Sequence, residues 1–423
     1  MTNNKNEEPL ILQHHNNKGL RKSMNNNHIK NKEKIEQIIQ LLATEVSHLD
    51  TSEHNHGLLS GIAGHLLFLY QAHQWNADWV DEAVFSQKLE QLQEGLAEQT
   101  FELSNGLAGQ AWLLEYLNQA DKEDYDAELL EDVDQLFSDA LAHDPWPGEI
   151  ESVLGLAGYS PYAARRALYS DQTALWKVIV RGLQSTATRL DKGHIAWSQP
   201  SNSVYRLNKD VTDEPEYNLG LAHGVPGIIA ALLPALAIDE LKAHVSELLQ
   251  GSCDWLLAQQ NTDTERSCYG TCVPSESHGS RLGWCYGDLT IALTLARVGH
   301  AIDRPSYVEK ALEIALHTTK RDAESGQIND AGLCHGFAGM VTIYQLLNQV
   351  MPHPALASAM QTWLDYTVEQ FEKRGIEAMY CFDGREQKYV VDYGFLMGYS
   401  GIGLALLGVL NDDTSWTDCL LMA

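Results

Sequence analysis

The sequence predicts an all-α protein, an α/α toroid in which seven inner helices stand inside a ring of seven outer helices. A G-x-x-G step that opens an apolar run recurs seven times, with first glycines 45 to 69 residues apart. The segments between these runs carry apolar residues at three- and four-residue spacing, with charged residues elsewhere. Neither end of the chain shows the unusually polar repeat that caps an open solenoid, so a closed ring is expected.

Each G-x-x-G step marks the start of an inner helix. A helix that is apolar around most of its circumference must be buried, which places these runs inside the ring. Glycine costs about 1 kcal/mol relative to alanine in a helix interior, so its recurrence indicates a local need, such as close approach of two backbones. The first glycines are Gly61, Gly106, Gly155, Gly224, Gly287, Gly336 and Gly398. The fifth step is degenerate, because Asp288 and Thr290 replace small residues.

The outer helices are predicted from amphipathic segments, for example residues 34–42, 127–142, 172–190 and 307–317. Residues 388–391 are the best short candidate for a strand. The longest connections, 191–220 and 261–283, are polar and rich in turn residues. Long loops within a compact domain are often functional, so these two are candidate lids.

Composition restricts the function classes. The 423 residues are 44% hydrophobic and carry a formal charge of -28, which argues against nonspecific nucleic-acid binding. No apolar run reaches the ~18–20 residues of a membrane helix. Residues 1–31 are polar and Asn-rich, and we expect a disordered arm there, followed by one toroid domain over 32–423. Seven cysteines without a secretion signal fit a reducing cytoplasm, as free thiols or metal ligands.

A candidate metal site emerges from the ring geometry, because all inner-helix N-termini face one end and the residues preceding them become neighbours. These residues are His56, Asn105, Glu151, His223, Cys285, Cys334 with His335, and Met397. Cys285, Cys334 and His335 supply two thiolates and one imidazole, one ligand short of a closed tetrahedral zinc site. Catalytic zinc sites keep that fourth position for water or substrate. The alternative is two buried free cysteines beside a hydrogen-bonded histidine.

Other residues could take part in metal binding or catalysis. Cys268 and Cys272 form a weaker candidate pair, since C-x₃-C without a second pair rarely suffices for a metal. His223 could act as a fourth ligand or a general acid/base, or simply cap a helix. Arg281 could stabilise developing negative charge, and Tyr286 could line a pocket, although a surface arginine and a core aromatic would need no function.

These motifs together resemble the LanC family, the lanthionine synthetase C-like cyclases. The motifs are WCYG, GLCHGFAG, LGLAHGVPG and the closing GYSGIGLALL, and the resemblance runs from about residue 34 to the C-terminus. It implies an α/α toroid with a central zinc ion held by Cys285, Cys334 and His335. It also implies addition of a peptide cysteine thiol to dehydroalanine or dehydrobutyrine, forming a thioether ring as in lantibiotic biosynthesis.

The resemblance carries further expectations about residues and partners. His223, Arg281 and Tyr286 match positions implicated in acid/base work. The bacterial cyclases carry an aspartate shortly before the third G-x-x-G, where Glu151 stands here, and this leaves the base assignment open. The implied partner is a dehydrated precursor peptide, with a dehydratase and an export transporter as further candidates. The implied location is the cytoplasm, including the inner face of the cell membrane.

The sequence is also compatible with three other functions. The third repeat also resembles the eukaryotic LanC-like proteins, which suggests addition of glutathione or another small thiol to dehydroamino acids. A non-catalytic toroid that binds a peptide, with a structural zinc, would make His223 dispensable. An α/α-toroid glycosidase would need paired carboxylates across the cavity, and the inner-helix starts offer mainly Glu151.

Overall fold

The computed structural model describes residues 31–51, 55–96, 100–120, 122, 124–207, 214–275 and 279–423. Apart from Asn31, the polar arm expected at residues 1–31 lies outside this part of the chain. No helix among the described residues is long and apolar enough to cross a bilayer. The described chain is all-α with a few short strands, as the repeats predict.

Outer and inner helices alternate along the chain. The outer helices are α1 (Lys32–His48), α3 (Glu82–Glu94), α5 (Glu131–Ala140), α7 (Thr173–Ser185), α9 (Asp239–Ala258), α11 (Pro305–Thr318) and α14 (Pro354–Arg374). The inner helices are α2 (Ile62–Trp75), α4 (Leu107–Asn118), α6 (Ser160–Arg166), α8 (Val225–Leu232), α10 (Asp288–Ala301), α13 (Phe337–Val350) and α15 (Tyr399–Asn411). The described residues thus give the expected seven of each, and a four-residue helix, α12 (Ala323–Gly326), lies between α11 and α13.

Shorter elements complete the described chain. 3₁₀ turns occupy Ala77–Trp79, Leu156–Tyr159, Asp191–Gly193, Leu233–Ala237, Gly375–Met379 and Ser415–Leu420. Three antiparallel ribbons pair β1 (Thr188–Arg189) with β2 (Ile195–Ala196), β3 (Tyr217–Asn218) with β4 (Cys272–Val273), and β5 (Cys381–Asp383) with β6 (Lys388–Val390). The strand predicted at 388–391 is confirmed as β6, while the helix predicted over 172–190 ends at Ser185 because its last residues form β1.

Burial separates the two rings. In α1 the buried side chains form one stripe, Ile35, Ile38, Ile39, Leu42, Ala43 and Val46, which faces inward. In α2 every residue from Ile62 to Leu69 is buried, so this helix is enclosed on all sides. An apolar stripe and an all-round apolar surface are the two patterns that the sequence distinguished.

A closed belt of backbone hydrogen bonds joins the seven loops that precede the inner helices. Each bond runs between neighbouring loops at 2.6–3.5 Å, and every acceptor is the carbonyl two residues before the first glycine of its repeat. In order the bonds are Leu59 N to Ser104 O, Ser104 N to Val153 O, Ser152 N to Ala222 O, Ala222 N to Cys285 O, Trp284 N to Cys334 O, Cys334 N to Leu396 O, and Leu396 N back to Leu59 O. The belt closes the ring and brings all seven loops to one end.

In six of the seven steps, close packing against the belt requires the second glycine. A Cβ at Gly339 would lie 2.1 Å from the carbonyl oxygen of Leu333, and the five equivalent glycines show the same clash at 1.8–2.5 Å. The fifth repeat has Thr290 at this position, and its backbone avoids the clash in a different way. Its Gly287 adopts φ 112°, which side-chain-bearing residues rarely reach, so the loop enters α10 along another path.

Candidate metal centre and acid–base pair

Two adjoining loops of the belt bring three metal-binding side chains together. Cys285 precedes α10, and Cys334 and His335 precede α13. One ligand atom from each of the three lies within 4.8 Å of the others, and Cys285 Sγ is 3.9 Å from His335 Nδ1. The bond from Trp284 N to Cys334 O, at 2.6 Å, fixes the two loops side by side.

The two thiols of this cluster interact directly. A hydrogen bond from the Cys334 thiol, with the neighbouring His335 imidazole and Arg281 guanidinium, holds the pKa of Cys285 well below its ordinary value. The same contact and burial raise the pKa of Cys334 well above its ordinary value. The pair therefore favours one thiolate and one thiol, with a positive side chain close by.

The donor set fits a zinc ion. Two cysteine sulfurs and one imidazole nitrogen are typical zinc ligands, with bonds of about 2.0–2.3 Å that space the ligand atoms by about 3.3–3.8 Å in a tetrahedron. The 3.9 Å between Cys285 Sγ and His335 Nδ1 needs only a small adjustment to reach that range. Three protein ligands leave one tetrahedral position for an exogenous ligand.

His223 and Glu151 form a hydrogen-bonded pair on the two preceding loops of the belt. His223 Nδ1 lies 2.7 Å from Glu151 Oε2. Glu151 is fully buried and also accepts the backbone N–H groups of Val153 at 2.8 Å and Leu154 at 2.6 Å. These bonds fix the carboxyl group, which in turn orients the imidazole and leaves Nε2 available. His223 keeps 18% of its side chain exposed, so the ring can be reached from solvent.

The first of the two long loops covers this pair. Tyr205 stacks on the His223 ring, with ring centroids 3.7 Å apart and an interplanar angle of 14°. Gln199 of the same loop donates from its side chain to the His223 carbonyl. The sequence singled out this loop as a candidate lid but gave no reason to choose Tyr205, because stacking depends on a loop path that no periodicity encodes.

Tyr286 and Arg281 flank Cys285. The Tyr286 hydroxyl accepts a hydrogen bond from Asn218 Nδ2 at 2.8 Å, and burial raises the pKa of Tyr286 to about 12, so the phenol stays protonated. Arg281 is half-buried, and its positive charge helps to lower the pKa of Cys285 and opposes part of the rise in the pKa of Cys334. Asn218, which ends β3 and holds Tyr286, was not anticipated from the sequence.

Hydrogen bonds of the belt also connect the loop of the His223–Glu151 pair to the loop of Cys285. Ala222, next to His223, donates its N–H to the carbonyl of Cys285 at 3.5 Å. The Ser152 side chain donates to the Ala222 carbonyl at 2.7 Å and so ties the Glu151 loop to the same place. The structure thus sets all seven residues that the sequence proposed for the site on four successive loops at one end of the ring, in the order Glu151, His223, Arg281, Cys285, Tyr286, Cys334 and His335.

The chain is similar to known proteins in both sequence and fold. A profile of the lanthionine synthetase C-like protein family matches residues 25–421. The chain belongs to this family. The nisin biosynthesis protein NisC of Lactococcus lactis subsp. lactis is 23% identical to this chain over 293 residues, which are 65% of this chain and 65% of that protein's length. A solved structure of nisin cyclase superposes with a TM-score of 0.71 at 22% identity, covering 93% of this chain and 98% of that one.

The solved nisin cyclase has the same helical toroid fold. At this level of identity the likeness establishes the architecture and leaves the roles of individual side chains to the geometry of this chain. Cys268 and Cys272, the weaker candidate pair, are not grouped as ligands. Cys272 Sγ instead lies 3.5 Å from the Pro274 carbonyl, while Cys268 belongs to a different cluster with Asp288 and His317.

Proposed function

We propose that this LanC-like protein is a zinc-dependent lanthipeptide cyclase. It would add peptide cysteine thiols to dehydroalanine or dehydrobutyrine and so form lanthionine and methyllanthionine rings. The observation that carries the proposal is the placement of a cysteine–cysteine–histidine cluster and a histidine–carboxylate pair on adjoining loops of one belt. Its relatives carry the names nisin cyclase and nisin biosynthesis protein, which supports a cyclase acting on a peptide.

Cys285, Cys334 and His335 would hold the zinc ion. A zinc ion bound there would act as a Lewis acid and make a coordinated thiol nucleophilic at neutral pH. A free thiol, with a pKa near 8.5, is mostly protonated at that pH. Arg281 adds positive charge beside the two protein sulfurs. This offsets part of the negative charge that accumulates when several thiolates gather.

His223 would move the protons of the reaction. The thiol passes its proton to His223 Nε2 as its sulfur bonds to the β-carbon of the dehydroamino acid. The double bond's electron pair moves to the α-carbon and its carbonyl, so the α-carbon must gain a proton. His223 Nε2 can deliver it, because Nδ1 is held by Glu151 and the buried carboxylate stabilises the protonated ring.

Glu151 is proposed to replace the aspartate that the bacterial cyclases carry near this position. Its two backbone hydrogen bonds fix the carboxylate, and the longer glutamate side chain still reaches the imidazole at 2.7 Å. Tyr286, held protonated, and Arg281 are proposed to stabilise negative charge on the substrate carbonyl. Tyr205 would orient the His223 ring from above.

The partners follow from this chemistry. The substrate is a dehydrated precursor peptide, and a dehydratase must act before this enzyme because its substrate contains dehydroamino acids. We extend the proposal to an export transporter as a partner and to the cytoplasm, at or near the inner membrane face, as the location. We also propose that residues 32–423 form one toroid domain behind a polar arm.

Thiol alkylation with mass spectrometry tests the function. Ring closure moves no atoms in or out of the peptide, so a dehydrated cysteine peptide should keep its mass while losing the ability to react with an alkylating reagent. Incubation with glutathione and a cysteine-free dehydrated peptide provides the second arm. A glutathione adduct there, with no protection of thiols in the first arm, would favour addition of a small thiol over cyclisation.

A further inference from the structure

A second cluster of metal-binding side chains lies outside the site described above. It combines Cys268 of the second long loop, Asp288 at the start of α10, and His317 in the last turn of α11. One ligand atom from each lies within 4.8 Å of the others. The three residues come from three separate segments, and none of them has a part in the proposed cyclase chemistry.

Asp288 is fully buried and anchors the loop. Its carboxylate accepts the backbone N–H groups of Cys268 at 2.8 Å and Tyr269 at 3.0 Å. These two bonds hold Cys268 beside the carboxylate, so the thiol and the carboxyl group share one buried space. The sequence marked Asp288 only as a departure at the degenerate fifth step, whereas the structure shows this specific anchoring contact.

His317 contributes an imidazole ring to the cluster. Its Nδ1 is buried and makes no hydrogen bond within the described residues. Buried polar atoms normally find a partner, and a nitrogen of neutral imidazole is the commonest metal ligand among side chains. This is an observation independent of the thiol and the carboxylate.

Two acidic groups, the Cys268 thiol and the Asp288 carboxyl group, meet in this cluster. Arg321 supplies one positive charge near Asp288 and donates to the carbonyls of Ser280 at 2.8 Å and Ser325 at 2.7 Å. A divalent cation would balance a thiolate and a carboxylate together.

An adjacent cavity gives access to the cluster. Its volume is about 290 Å³, and its walls include Cys268, His317, Gln260, Glu313 and Lys320. An ion can enter through this opening, and the cavity has space for a water molecule at a fourth ligand position.

We propose that Cys268, Asp288 and His317 form a second zinc site, which ties the long loop to α10 and α11 behind the loop of Cys285. Thiolate, imidazole and carboxylate are the three protein ligand types that zinc accepts, and tetrahedral zinc needs ligand atoms about 3.3–3.8 Å apart. The ligand atoms now lie within 4.8 Å of one another, at most about 1 Å beyond the upper end of that spacing. The cavity beside Cys268 and His317 would give a water molecule access to the fourth position.

Zinc stoichiometry of the purified full-length protein tests the proposal. Wild type should hold about two zinc ions per chain, and both His317→Gln and Cys268→Ser should hold about one. Cys272→Ser is the matched control, because it removes a thiol from the same loop outside the cluster and should keep about two. In the cobalt-substituted protein, the thiolate-to-cobalt absorption should fall in Cys268→Ser and persist in Cys272→Ser.

The outcome is separable from that of the cyclase proposal. Cys285→Ala removes a ligand of the other site, so a Cys285→Ala, His317→Gln double variant should hold no zinc while each single variant holds about one. Circular dichroism of each variant would show that the helical fold persists. Equal zinc content in wild type and in folded His317→Gln and Cys268→Ser would overturn the second site, whatever Cys285→Ala shows.

Discussion

The cluster of Cys285, Cys334 and His335 and the cluster of Cys268, Asp288 and His317 contain similar chemical groups but are built in different ways. The first stands on two loops of the hydrogen-bonded belt, at equivalent positions of successive repeats. The second joins a long loop, the first residue of an inner helix and the end of an outer helix. Repetition positions the first cluster, whereas single contacts such as those of Asp288 position the second.

This difference shows which sites a repeat can reveal. Equivalent positions before each inner helix converge in space, so ligands at those positions can be recognised in the sequence. A site that includes residues from a connection between repeats does not use such equivalent positions, so the repeat does not reveal it. The belt cluster also lies beside the His223–Glu151 pair, which makes it the centre of the proposed reaction, while the other cluster lies beside a separate cavity.

Removing a ligand of the belt cluster should have the largest effect. We expect Cys285→Ala to lose one zinc ion and to abolish detectable ring formation, because two protein ligands hold zinc much more weakly than three. Zinc analysis and thiol alkylation on the same sample measure both. Cys272→Ser serves as the control for loss of a buried thiol. Full ring formation by Cys285→Ala would separate the reaction from this cluster.

Changing Glu151 should have an intermediate effect. Glu151→Gln keeps an oxygen facing His223 but removes the charge that stabilises the protonated imidazole, so we expect ring formation to slow by about 10-fold with zinc retained. Glu149→Gln measures the general effect of removing a charge from the same loop, because Glu149 binds Ser203 and interacts electrostatically with Glu151 and His223. A wild-type rate for folded Glu151→Gln would mean that the Glu151 carboxylate has no part in the proton transfer.

Removing the ring above His223 should have the smallest effect. Stacking between aromatic rings contributes about 0.5–1.5 kcal/mol, so Tyr205→Ala should slow ring formation by about 2- to 10-fold. Tyr205→Phe keeps the stacked ring and should restore most of the rate, which a role for the hydroxyl group would not allow. Steady-state rates with the dehydrated peptide distinguish the two cases.

The sequence predicted the toroid because the seven G-x-x-G steps record a repeated backbone contact. The Cβ clash at Gly339 and its equivalents explains why glycine recurs. The belt cluster was predictable for the same reason, since Cys285 and Cys334 occupy the same register. The sequence placed Glu151 and His223 on neighbouring loops, but their hydrogen bond could be identified only from the fold. Tyr205 and Asn218 lie in or beside long connections whose path depends on tertiary contacts, so no local pattern identified them.

The most direct test of the account is zinc content measured alongside the ring-forming rate of His223→Asn. Because His223 sits on a belt loop that adjoins the metal cluster and binds Glu151, we expect this variant to keep its fold and zinc and to lose about 10²–10⁴-fold in rate. Loss of zinc in this variant would instead make His223 a metal ligand. A wild-type rate in folded, zinc-loaded His223→Asn would contradict the proposed acid–base role.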